Sequence, residues 1–147
     1  MIGQWGLSLA HNSELQYLGS DDEFEWLATG HDPKFVVSGS APLPGWHMLE
    51  VMLDHDQASV NAILFWSSKQ GFDEEHSAYL PLKTGRVTKR LVYIPLSGKS
   101  LRFDPMESPG QFSVKHFRLS WVLPWFALDR LVHRLINMHY EWRGQSK

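Results

Sequence analysis

The short stretch Asp54-His55-Asp56 carries the most suggestive spacing of reactive side chains in the sequence. Two carboxylates one residue apart can share a hard divalent cation, the arrangement that holds a metal against a nucleotide sugar. That chemistry needs a nucleotide-binding domain of alternating helices and strands, and no such alternation is present. A solvated hairpin turn after an apolar strand is the other reading of the same three residues. The eight histidines, at 11, 31, 47, 55, 76, 116, 133 and 139, show no His-Glu-x-x-His or comparable zinc spacing. There is no glycine-rich phosphate loop and no Gly-x-Ser-x-Gly elbow. With no cysteine in the chain, disulfides, thiolate metal sites and cysteine nucleophiles are excluded. Hydrolysis of a glycosidic bond would need two carboxylates placed across it, and nothing in the sequence pairs two of them. No catalytic residue is therefore expected.

Aromatic side chains offer the second kind of chemistry. The chain has seven Trp, four Tyr and eight Phe in 147 residues. Sugar rings present C–H faces that stack on aromatic planes, while their hydroxyls meet Asp, Asn, Gln and Arg. Trp46, Trp66, Tyr79 and Trp121 are the aromatic candidates for such stacking, and filling a core is the competing role for each. Binding of nucleic acid would interleave basic residues with exposed aromatics. Lys99-Ser100-Leu101-Arg102-Phe103 comes closest and is short, so no nucleic-acid partner is expected.

These residues must be positioned by strands. Trp46 to Leu53 alternates, with His47, Leu49, Val51 and Leu53 forming an apolar, core-directed face. Ser59 to Ser67 places Val60, Ala62, Leu64 and Trp66 on one face. Ala78 to Leu82 contains Pro81 and reads as an edge strand. Val87 to Leu96 and Ser100 to Phe103 follow. Beyond the rigid Asp104-Pro105 and Ser108-Pro109-Gly110 turns, Phe112, Val114, His116 and Arg118 alternate with Ser113, Lys115, Phe117 and Leu119. About eight short strands separated by Gly, Pro, Asp and Ser turns predict an all-β, antiparallel β-sandwich of jelly-roll-like form over residues 1–123. Residues 124–147 read as a C-terminal amphipathic helix or connector. Leu128, Leu131, Val132, Leu135, Ile136, His139 and Trp142 keep helical spacing, and Asp129, Arg130, Arg134, Asn137 and Glu141 stand opposite. Such a helix docks back, pairs with a partner or leads into a following domain.

Charge is divided along the chain. Residues 1–80 hold 12 acidic and 2 basic side chains, and residues 81–147 hold 4 acidic and 12 basic, for a net charge of -2. Either the second half forms a basic surface, or the two halves interleave and neutralise each other; the latter is expected, because no run of like charge is long enough to be a tail. Mean hydropathy is -0.29, and no apolar run reaches the length of a membrane span. The first ten residues lack the pattern of a secretory signal, so cytoplasmic residence is expected. Acidic loops at Asp21-Asp22-Glu23 and Asp73-Glu74-Glu75 are the places for a structural Ca²⁺, but neither has a ligand register, and no cofactor is expected.

The stretch Leu101-Arg102-Phe103-Asp104-Pro105, a short spacer and Pro109-Gly110-Gln111-Phe112 precede an alternating strand, with Asp32-Pro33-x-Phe35 and Gly45-Trp46 upstream. This order resembles the β-sandwich accessory domain that lies N-terminal to the catalytic domain in bacterial glycosyltransferases of surface-polysaccharide biosynthesis. The resemblance spans roughly residues 30–122. It implies a jelly-roll-like domain similar to carbohydrate-binding modules, non-catalytic itself, with a glycan or polysaccharide and a glycosyltransferase catalytic domain as partners. The candidate carbohydrate-binding residues are Trp46, Trp66, Tyr79, Arg102 and Asp104. For Arg102 and Asp104 an ion pair that shapes the Asp-Pro turn is the competing role. The rival function is a scaffold domain that binds no sugar and forms a homo-oligomer through the C-terminal helix, using Leu128, Leu131, Leu135 and Trp142.

Overall fold

The alternation of strand β5, Gly45–His55, sets the architecture. His47, Leu49, Val51, Leu53 and His55 are buried, while the residues between them are not. A strand with this pattern has one face for a core and one for solvent. The computed structural model describes residues 6–38, 42–122 and 128–137. Among them are ten strands: β1 Gly6–His11, β2 Leu15–Tyr17, β3 Trp26–Ala28, β4 Phe35–Ser38, β5, β6 Val60–Trp66, β7 Ser77–Leu82, β8 Thr88–Ile94, β9 Leu101–Asp104 and β10 Gly110–Trp121. They form two five-stranded sheets, in the orders β1-β4-β9-β6-β7 and β2-β3-β10-β5-β8. Every pairing is antiparallel. The all-β antiparallel sandwich read from the sequence is the fold found, with ten strands where about eight were expected. The additional ones are the short pieces near the N-terminus.

The two sheets face each other across Phe35, Phe103, Phe112, Leu49, Leu53, Leu64, Leu80 and Leu119, all essentially inaccessible. Burying one such side chain contributes about 1.5–3 kcal/mol. An edge-to-face relay of rings, Trp26 on Phe35 and Phe35 on Phe112, binds the sheets at one end. The two buried imidazoles find partners within the fold. In His55, Nε2 donates to the Leu82 carbonyl and Nδ1 accepts from the Gln57 amide, at 3.2 and 3.3 Å. In His47, Nδ1 donates to the Gly45 carbonyl at 3.0 Å, and burial holds this imidazole below its ordinary pKa.

Acidic and basic halves of the chain interleave, as expected. Strand β9 lies between β4 and β6, and β10 lies between β3 and β5. Strand β7 ends its sheet, and Pro81 sits in it where the missing N–H leaves no central ladder bond unmade. One correction concerns β10. A shift of register between Val114 and His116 marks a bulge at Lys115. Phe112 and Val114 face the core before the bulge, whereas Phe117 and Leu119 face it afterwards. His116 and Arg118 are thereby turned to the outer face, the opposite of strict alternation with Phe112. Residues 128–137 are helical, numbered α1 here. Among the described residues no helix is long and apolar enough to cross a membrane. His139 and Trp142, assigned to the apolar stripe of the helix, lie outside the described residues, as does the 123/124 boundary.

Candidate functional site

The outer face of the β8-β5-β10 sheet is laid out in rows by its register. Trp46 stands opposite Tyr93, Met48 opposite Leu91, and Glu50 opposite Lys89. On the other side of β5, Ser120 stands beside Met48 and Arg118 beside Glu50. Successive rows are about 7 Å apart, two residues of extended chain. The first row is aromatic. Trp46 and Tyr93 meet at 5.3 Å between ring centres with planes at 70°, yet remain 39% and 51% exposed. Cross-strand aromatic pairing stabilises the sheet, and both rings keep part of their surface open to solvent. Gly45, at φ 130°, makes the entry to this row; a Cβ there would lie 3.0 Å from Trp121 Nε1, which donates to the Pro44 carbonyl. The third row is charged. Glu50 lies 3.1 Å from Lys89 Nζ, 3.6 Å from His116 Nε2 and 3.9 Å from Arg118 Nε. The hydrogen bond from Lys89 is the main reason that the Glu50 carboxyl lies below its usual pKa. Arg118 Nε also donates to Ser120 Oγ at 3.0 Å. An aromatic pair thus stands two rows from an array of donors and acceptors.

The outer face of the opposite sheet brings three sequence candidates together. Register places Asp104 beside Ile63 and Ile63 beside Tyr79, while Arg102 lies beside Phe65. Arg102 and Asp104 are two residues apart on one strand and therefore share a face. The guanidinium donates Nε to Oδ1 at 3.0 Å and Nη2 to Oδ2 at 2.9 Å. Its plane covers the Phe65 ring at 4.2 Å and approaches the Phe72 ring at 5.3 Å. Asp104 is buried, and that desolvation outweighs the attraction of Arg102, pushing its carboxyl up to about 6; Asp32 adds to the rise and Lys34 opposes it. The pair holds the chain at Asp104-Pro105 between β9 and the following loop, the structural role weighed for it in the sequence. With its fork on Asp104 and its flat face on Phe65, Arg102 has little left for a ligand. Tyr79, 40% exposed, lies two strands away from Asp104.

Trp46 is therefore on one outer face, and Tyr79, Arg102 and Asp104 are on the other. Trp66 is on neither. It is 8% exposed within the core, sharing the inward face with Val60, Ala62 and Leu64, and it is withdrawn as a stacking residue. Its indole N–H is enclosed with no acceptor. Glycine at 98 makes room for it, since a Cβ there would lie 3.3 Å from the indole. Tyr93 and Phe72 were missed in the sequence. Tyr93 had a signal, because it alternates with the core residues Val92 and Ile94.

The Asp54-His55-Asp56 stretch completes strand β5 and enters its turn. His55 is buried as described, and Asp56 Oδ2 accepts from the Gln111 amide at 3.1 Å. Asp73, in an acidic loop, caps a 3₁₀ turn at Glu74–His76 and accepts from His76 Nδ1 at 2.6 Å, which holds its carboxyl below the usual pKa. Among the described residues no three His, Asp or Glu side chains converge as a metal cluster would.

No protein-family model matches the chain, and no curated protein matches it. A solved structure described as BiXyn10A CBM1 APO is similar at 10% sequence identity, over 82% of this chain and 92% of that one, with a TM-score of 0.48. That degree of likeness carries no argument about function, which rests on the two faces themselves.

Proposed function

We propose that the chain is a non-catalytic carbohydrate-binding module whose glycan lies on the outer face of the β8-β5-β10 sheet. The observation that carries the proposal is the exposed Trp46–Tyr93 pair, one row from Ser120 and two from the Glu50–Lys89–Arg118 array. Stacking on the aromatic row supplies apolar contact, and the polar rows supply orientation. The non-catalytic reading is supported by the carboxylates. Glu50 and Asp104 are each answered by cationic side chains and lie on opposite faces of the sandwich, so they do not flank a common bond. Association with a glycosyltransferase of surface-polysaccharide synthesis, with the segment from 124 onward as connector, belongs to the same proposal; its support is the Leu101–Phe112 resemblance.

The test is titration calorimetry with a panel of neutral hexaoses. Trp46→Ala and Tyr93→Ala should each weaken the best ligand by roughly tenfold or more, with circular dichroism unchanged. Binding that survives both substitutions but is lost in Tyr79→Ala would move the site to the opposite face.

A second reading is favoured by the helix. Leu128, Leu131 and Leu135 are 60%, 55% and 59% exposed, and Val132 and Ile136 are exposed beside them. An apolar stripe left open in this way is a candidate for self-association. If it associates, sedimentation velocity will show a mass that rises with concentration and returns to monomer in the Leu131→Asp, Leu135→Asp double variant. A monomer at all concentrations removes this reading.

A further inference from the structure

Helix α1 presents its polar side, not its apolar stripe, to the sandwich. At 100° per residue, Arg130, His133, Arg134 and Asn137 fall together on the side opposite Leu128, Val132 and Leu135. Those four, with Leu131, form one wall of a cleft of about 750 Å³; β7 and β8 form the other, through Tyr79, Leu80, Pro81, Thr88, Lys89, Arg90 and Leu91, with Met48 at its base. Five of the lining residues are Lys, Arg or His, and none is Asp or Glu. Glu50 lies on Lys89, and Asp129 lies 3.5 Å from His133. Arg90 Nη1 donates to the Tyr79 carbonyl and ties the two sheet edges together below the cleft. Among the described residues no hydrogen bond or ion pair engages Arg134. In a chain of net charge -2, this concentration of cationic groups in a concave site stands apart from the rest of the surface.

Met48 and Leu91 belong both to the cleft and to the row beside Trp46 and Tyr93. Resting on the carbohydrate reading above, we propose that the module takes an acidic polysaccharide, with one sugar on the Trp46–Tyr93 row and the carboxylate of a uronic acid further along the same chain in the cleft, bound by Arg134 and Lys89. A guanidinium fork matches a carboxylate. A nucleic-acid strand fits less well. It would need positive charge repeated along its phosphates, whereas here Glu50 stands within the charged row, against Lys89.

The experiment is calorimetry on the whole chain with hexagalacturonate, a neutral hexaose and a dT12 oligonucleotide, at low and at physiological salt. Hexagalacturonate should bind about tenfold more tightly than the best neutral hexaose at low salt, and added salt should narrow the gap. Arg134→Glu, a change at an exposed helix position, should abolish the preference and leave neutral binding in place. Equal affinity for acidic and neutral hexaoses, an Arg134→Glu variant that keeps the preference, or tighter binding of dT12 would overturn this inference. Trp46-dependent binding of a neutral hexaose in those cases would leave the carbohydrate reading standing; no binding of any saccharide would remove both.

Discussion

Arg102→Ala should destabilise the folded protein by about 3 kcal/mol at pH 7.5, at the low end for a buried ion pair broken from one side. The loss comes mainly from what is left behind. Asp104 stays buried, and the two hydrogen bonds from Nε and Nη2 that answered its carboxylate are gone. Contacts of the guanidinium with Phe65 and Phe72 disappear as well. The carboxyl limits the damage by taking up a proton, so the penalty depends on pH. At pH 4, where Asp104 is already neutral in the folded wild-type protein, the same substitution should remove only packing and ring contacts, roughly 1 kcal/mol. Urea unfolding of the wild type and the variant at the two pH values gives both numbers. An equal, small effect at both would mean that Asp104 is not desolvated as its position implies.

The pH dependence of stability carries the second large effect. Asp104 has its carboxyl raised from 3.8 to about 6 on folding. Between these values the folded state holds a proton that the unfolded state releases. The favourable contribution is thus fully present below pH 4 and lost as the pH rises through 6. A shift of this size corresponds to on the order of 3 kcal/mol. Glu50 has the opposite sign, since its lowered pKa adds stability above the carboxylate range that is lost in acid. The difference between wild type and Asp104→Asn isolates the first group. The variant should lose the fall in stability between pH 4 and pH 7 while keeping the acid-side loss from Glu50. A wild type and variant with parallel stability profiles would contradict the assignment.

Much of the sandwich was legible because its longest strand obeys a simple rule. The inward set of β5, His47 to His55, could be read from alternation alone, and so could the edge position of β7 from Pro81. The Arg102–Asp104 pair was legible too, as two opposite charges on one face of a strand. Trp66 shows where one kind of reasoning should have overruled another. Its strand partners Val60, Ala62 and Leu64 placed it inward, yet its type suggested a sugar platform. Tyr93 shows the converse, an outward aromatic residue that was missed although its alternation with Val92 and Ile94 signals it. Other features depend on tertiary structure that no local pattern carries. A single extra residue at Lys115 reversed the facing of His116 and Arg118 and so built the charged row around Glu50. Phe72 comes from a loop, where no period applies. The rotation of α1, which turns Arg130 and Arg134 toward the sandwich, is a tertiary feature, and helical spacing fixes only which residues travel together.

The most direct measurement of the central claim is a two-dimensional ¹H–¹⁵N spectrum of the Trp indole N–H groups during titration with the best-binding oligosaccharide. The Trp46 signal, assigned through Trp46→Phe, should move saturably with the ligand, while those of Trp26 and the enclosed Trp66 stay in place. A saturating ligand that leaves the Trp46 signal unmoved would contradict a binding site on the β8-β5-β10 face.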